Sequence, residues 1–311
     1  MKSKEFRKEI ADTFIEGLKN DGLEWKQGWI DVTSPKNGIS GNKYKGINNF
    51  YLSLKASEKG YQDSRWLTFN QIKAAGYSLE KGSKGEKVEY WFPYDLKDKK
   101  SISFKQRDEL IKSGQRIELD FSLYAKYYTV FNGDCIKGLP EEVIEKRDIE
   151  PSKVLEQISE GMNVGIYNDG GNMAYYSLTT DTIHLPKEEL FISTEDYNAV
   201  AFHELAHSTG HETRLNRDIH GEFASESYAK EELVAEITSA FMAADMGISV
   251  NGMDNHQAYI NGWIEEIEKS PEVLMKAISK AEEATNYMEQ YILEIEHDEI
   301  RENKRDEEYE F

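Results

Sequence analysis

The residues best placed to do chemistry are His203-Glu204-Leu205-Ala206-His207, within the segment TEDYNAVAFHELAHSTG. Ser193 or Thr194 can cap a helix start there, Glu195 and Asp196 put acids in its first turn, and Gly210 supplies a stop. On such a helix two histidines four residues apart project from one face, with Cβ atoms roughly 6 Å apart, close enough to hold one metal ion. Glu204 stands beside them, where a carboxylate can take a proton from metal-bound water. A third histidine six residues past His207 would complete a ligand set, but Thr213 stands there and His211 is out of register. His211 and His220 therefore read as capping or surface residues.

The third ligand has to come from a later element, and YAKEELVAEITSAFMAADMG offers one. Leu233, Ile237, Ala240, Phe241 and Ala244 make a buried helical stripe, flanked by Glu232 and Glu236 one turn apart. One of these carboxylates can bind the metal while the other accepts the N–H of a ligating imidazole. Two imidazoles and a carboxylate leave a position open for water, as catalysis needs, and accept Zn2+, Mn2+, Co2+ or Ni2+. The whole pattern resembles that of the Glu-zincins. That resemblance implies Zn2+ on His203, His207 and Glu232, with Glu204 as the base and Glu236 as the outer partner. The strand DTIHLP, Asp181 to Pro186, is either core or the edge strand that in zincins holds a peptide substrate by backbone pairing.

A second chemistry is written in the N-terminal half. Between Asp31 and Glu58 there are four lysines and no acid, and aromatics interleave with cations from Tyr44 to Phe92. Cations that track phosphates beside rings that stack on bases suit sequence-tolerant binding of single strands. The candidate contacts are Lys43, Tyr44, Lys45, Asn48, Arg65, Trp66, Lys81 and Lys84. For Trp66, and for Tyr90, Trp91 and Phe92, a place in the core is the favoured alternative.

Charge divides the chain in the same place. Residues 1–140 hold 25 Lys+Arg against 19 Asp+Glu, a net of +6, so the remainder of a chain of net charge -20 carries -26. A length of 311 residues suggests two domains, placed at 1–145 and 146–311, with an acidic linker after Pro140. Around the sites the coarse reading is α+β. It has an amphipathic helix over Glu9–Leu18, a short helix in GINNFYLSLKAS, strands in KVEYWFPY and YAKYYTVFN, and a charged exposed insertion over 96–113. Beyond it come a helix over Ser152–Gly161, short strands, at least three helices and a solvated tail. One cysteine, no apolar leader and no apolar run of membrane-spanning length make the cytoplasm the expected compartment, with no membrane partner.

Taken together, YKGINNFYL, SRWLTFNQIKAAGYSLEKGSKGEKVEYW, YYTVFNGDCIKGLP, and HELAHSTGHETRL followed by YAKEELVAEITSAF resemble the ArdC family of antirestriction proteins. The resemblance implies an N-terminal single-stranded-DNA-binding domain, a C-terminal zincin-like metallopeptidase domain, and protection of DNA entering a cell by conjugation. A protease whose N-terminal module recognises a protein, and a DNA-binding protein with a vestigial metal site, are the competing readings.

Overall fold

The N-terminal helix forms where apolar residues recur at intervals of three and four. It runs Ser3–Asp21 (α1) and buries Phe6, Ile10, Phe14, Ile15 and Leu18. The computed structural model describes residues 3–21, 34–142, 151–219, 226–246 and 257–292. The boundary expected near residue 145, His220 and the charged segment 296–311 lie outside them. The described residues are α+β and group into two compact units, one gathering Lys2–Glu86 with Val130–Leu293, the other built on Lys87–Thr129.

In the larger unit, α2 (Gly46–Lys59) follows the extended Lys45 and stops at Gly60. Gly60 takes the left-handed conformation (φ 66°) that a side chain would disfavour, and the Tyr61 N–H reaches back to the Ala56 carbonyl. Phe14 of α1 meets Phe50 of α2 at 5.4 Å, and Phe6 meets Tyr51 edge-on at 5.4 Å. Strand β1 (Lys36–Asn37) runs parallel to β2 (Arg65–Thr68), and β2 pairs antiparallel with Val130–Asn132 at the end of β6 (Phe121–Asn132). Helix α3 (Phe69–Ala74) follows β2 through a capping box made by Thr68 and Gln71, and β3 (Ser78–Leu79) pairs with β7 (Ile136–Lys137).

The same unit continues through α5 (Pro151–Met162) to β8 (Gly165–Tyr167), β9 (Tyr175–Ser177) and β10 (Thr182–His184). Strand β10 lies in the middle of this sheet, parallel to β8 and antiparallel to β9. Both of its backbone edges are thereby occupied, so DTIHLP is an interior strand and not a free edge for a substrate peptide. Helices α6 (Thr194–Ser208), α7 (Glu226–Met246), α8 (Gln257–Lys269) and α9 (Glu272–Glu289) complete the unit. Helix α7 packs along both α6 and α9, and α1 packs on α2, α8 and α9.

In the smaller unit, β4 (Glu86–Asp95) lies between β5 (Lys100–Ser101) and β6. The charged stretch expected to be an insertion is ordered into β5 and α4 (Phe104–Lys112). Ser103 and Gln106 cap that helix reciprocally, and none of its residues is buried, which is why hydrophobic periodicity does not reveal it.

Glu142 closes the larger unit's first sheet. Its carboxylate accepts the Ser64 N–H at 2.7 Å and the Ser64 hydroxyl at 2.6 Å, and pairs with Lys36 at 2.7 Å. Burial works against the carboxylate, but these partners outweigh it and hold Glu142 at about 2. The stability this contributes is complete above the ordinary carboxylate range and is lost as pH falls from about 4.5 towards 2. Glu142→Gln should therefore remove about 1–2 kcal/mol at pH 7 and make the acid limb of unfolding shallower in that window. Parallel urea melts at pH 7 and pH 3 check this. An equal loss at both would show that the charge has no part in it.

Candidate metal centre

Helix α6 carries the histidine pair because its start and finish are both written locally. Ser193 caps it by accepting the Asp196 N–H at 3.1 Å, and Gly210, just past its end, leaves room for Arg217 to fold back beneath it. A Cβ at Gly210 would stand 2.7 Å from the Ile219 side chain and 3.1 Å from Arg217 Nη2. Helix α7 presents Glu232 opposite, with Leu233, Ile237, Ala240, Phe241 and Ala244 all buried, as the stripe predicts.

Three ligand atoms converge there. The Nε2 atoms of His203 and His207 are 3.1 Å apart, and Glu232 places one carboxylate oxygen 3.5 Å from the first and the other 3.4 Å from the second. A tetrahedral ion with bonds of about 2.0–2.1 Å needs ligand atoms about 3.3–3.4 Å apart, so this triangle has the right size for one such ion. It is the only group of three potential ligands found among the described residues. His211 is not part of it, since its Nδ1 accepts the Thr213 N–H and contacts the Thr213 hydroxyl in the turn after α6.

Behind each imidazole stands a second carboxylate. His203 Nδ1 faces Glu236 at 3.7 Å, and His207 Nδ1 faces Glu231 at 3.5 Å. Glu231 is in turn gripped by the buried Arg217 guanidinium at 2.6 and 3.1 Å. Arg217 also donates to the Ala206 carbonyl at 2.7 Å and the Thr209 hydroxyl at 2.6 Å, tying the end of α6 to α7. Burial disfavours a charged His207, yet Glu231 and Glu232 outweigh it and raise the imidazole to about 10. Burial likewise opposes the charge on Glu232, but the two histidines hold it well below the usual carboxylate range. A divalent cation held by these atoms would take the place of that proton as the countercharge, because an imidazole ligates through an unprotonated nitrogen.

Residues 153–280 match the family model of a zincin-like metallopeptidase, and residues 4–131 match that of the N-terminal domain of anti-restriction factor ArdC. The Sinorhizobium fredii protein y4eC is 30% identical over 286 residues, 92% of this chain and 90% of that one. The metal-free crystal structure of antirestriction protein ArdC from the R388 plasmid superposes with a TM-score of 0.71 at 28% identity, covering 92% of this chain and 97% of that one. The chain belongs to the ArdC family of antirestriction proteins. The R388 ArdC has also been solved with Mn(II) bound, and that structure matches at 29% identity and the same TM-score of 0.71, covering 93% and 99% of the two chains. An Escherichia coli protein described as DNA primase TraC is 35% identical over 92% of this chain, and a second is 33% identical over 96%. This chain spans 20% and 28% of their respective lengths.

The family's two segments carry the residues expected at each site, but with different engagements. Lys43 forms an ion pair at 2.5 Å with Asp245 of α7, which also accepts the Ser34 hydroxyl. Tyr44 is partly covered, and burial pushes its phenol up to about 12. Arg65 lies against Asp63 and donates to the Pro140 carbonyl at 2.7 Å. Trp66 is 1% exposed and packs edge-on against Tyr61 at 5.9 Å, so the core alternative holds and its ring has no face to offer a base. Lys45, Lys81 and Lys84 are exposed, and Asn48 is half-buried on α2. Glu231 and Arg217 are the residues that sequence reasoning missed. The signal available was the acid doublet Glu231-Glu232, whose two members point about 100° apart on a helix and so address different imidazoles.

Glu231→Gln in the full chain should weaken divalent-metal affinity by roughly 10- to 100-fold, the effect typical of a lost outer partner, while Glu232→Gln weakens it further. Calorimetric titration with Zn2+ and with Mn2+ measures both. Wild-type affinity in Glu231→Gln would remove that carboxylate from the site.

Proposed function

We propose that this chain is an antirestriction protein with two working halves. Residues 1–145 bind single-stranded DNA entering the cell, and residues 146–311 carry a metal-dependent peptidase-type centre that acts in the cytoplasm. The observation that carries the reading is the triangle of His203, His207 and Glu232, backed by Glu236 and Glu231, in a chain of the ArdC family. Among the described residues no helix is long and apolar enough to cross a membrane.

His203, His207 and Glu232 would hold Zn2+ or Mn2+, both of which suit a set of two nitrogens and one oxygen. The bound ion supplies Lewis-acid polarisation of a peptide carbonyl and acidifies water. Glu236 and Glu231 fix the orientation of the two rings, and Arg217 keeps Glu231 from swinging away. Glu204, 6% exposed on the same helix, is the carboxylate that takes a proton from water and passes it to the departing amine nitrogen. In the N-terminal half, exposed Lys45, Lys81 and Lys84 provide cations for phosphates.

Glu204→Gln should retain one equivalent of metal and the wild-type melting temperature, and lose peptidase turnover by roughly 100- to 10,000-fold, because an amide cannot accept the proton. Turnover of a denatured protein or peptide library, read by mass spectrometry, tests this. Unchanged turnover would place the base elsewhere. Protection of conjugated DNA by the same variant, scored as transfer frequency into a restricting host, separates DNA binding from peptidase action.

A further inference from the structure

The smaller unit carries an aromatic face that the metal centre does not use. Side chains alternate across a strand, so Tyr90, Phe92 and Tyr94 of β4 share a face with Tyr124, Lys126 and Tyr128 of β6. The contacts agree with that register. Tyr90 meets Tyr128 at 6.4 Å, Tyr94 meets Tyr124 at 5.3 Å, and Lys126 Nζ lies 4.6 Å over the Phe92 ring. Tyr90, Tyr124 and Tyr128 are 38%, 49% and 43% exposed. The opposite face is spent internally, with Lys87 bonded to Thr129 at 2.5 Å and Tyr127 to Glu89 at 3.4 Å.

Charge narrows what this face can receive. The chain has a net charge of -20, yet the six residues named include one cation and no acid. Lys126 makes no ion pair among the described residues, so its charge is not cancelled within the fold. Neighbouring rings along a strand, Tyr90 and Phe92, are 6.3 Å apart and within 17° of parallel. That spacing is the side-chain repeat along a strand, so the exposed tyrosines of the two strands form a row of ring faces on which unpaired bases can stack.

We propose that the β4–β6 face is a stacking platform for single-stranded nucleic acid, with Tyr90, Tyr124 and Tyr128 receiving bases and Lys126 a phosphate. The proposal rests on the reading that the chain binds single strands, and it moves the stacking from the Lys43–Lys45 loop to this ribbon. The loop's Lys43 is committed to Asp245 and its Trp66 neighbour is sealed in the core, whereas Tyr90, Tyr124 and Tyr128 of the ribbon are exposed.

The test is fluorescence polarisation of a labelled 20-nucleotide oligo-dT with the full chain, at two salt concentrations. Tyr124→Ala/Tyr128→Ala should weaken binding by at least about tenfold, as expected for loss of base stacking, with an unchanged melting temperature. Tyr124→Phe/Tyr128→Phe, which keeps the rings, should bind within about twofold of wild type. Lys126→Ala should lower the slope of log affinity against log salt by about 0.7. If wild type binds and the alanine pair binds equally well, the platform is overturned while the DNA reading stands. If wild type itself does not bind oligo-dT at low salt, both fall. A wild-type dimer that the alanine pair dissociates, with DNA affinity unchanged, would instead make the face a contact between copies and overturn the proposal.

Discussion

Buried charge is the constraint on which the rest of this structure turns. Glu204, Glu231, Glu232 and Glu236 lie between α6 and α7 at 6%, 6%, 4% and 0% exposure, with Arg217 the one guanidinium among them. Counted with neutral imidazoles and ionised carboxylates, four carboxylates against one guanidinium sum to -3 among largely buried groups, a charge that calls for a cation beside them. A divalent cation on the triangle reduces this to -1, and in its absence His207 retains a proton to soften the repulsion. The paired helices, the glycine that admits Arg217 and the Glu231 and Glu236 carboxylates facing the two imidazoles are what bring those charges together.

The same logic joins the family's two segments. The loop ahead of α2 is anchored on the zincin-like half through Lys43 to Asp245, and the Gly46 N–H at the start of α2 donates to Glu282 of α9 at 2.9 Å. Helix α1 buries its apolar stripe partly against α8 and α9. The regions matched by the two family models, 4–131 and 153–280, thus share one compact unit apart from the 87–129 ribbon. A divided chain has an undivided core, and changes in either half will be felt in the stability of the other.

What could be read from the sequence was what rests on local periodicity. The HExxH helix, the stripe of α7 and the apolar face of α1 all repeat at helical spacing and stand where expected, and a helix lies over GINNFYLSLKAS, running two residues further than that segment. What could not be read depends on contacts distant in the chain. Lys43 looks like a free cation until Asp245, some 202 residues on, is brought beside it. Glu231 becomes meaningful once Arg217 closes on it from a loop. Strand β10 is apolar enough for core or edge, and its place in the middle depends on β8 and β9 arriving from either side. Helix α4 buries nothing, so it left no pattern to find.

The central claim is that a single ion sits on the triangle of His203, His207 and Glu232, completing a charge arrangement that the protein alone leaves unbalanced. Anomalous diffraction from crystals of the full chain grown with zinc tests it most directly. One strong peak is expected, within about 2.0–2.2 Å of both Nε2 atoms and of a Glu232 oxygen. A peak bonded to Glu236 in place of Glu232, or no peak between α6 and α7 at saturating zinc, would contradict it.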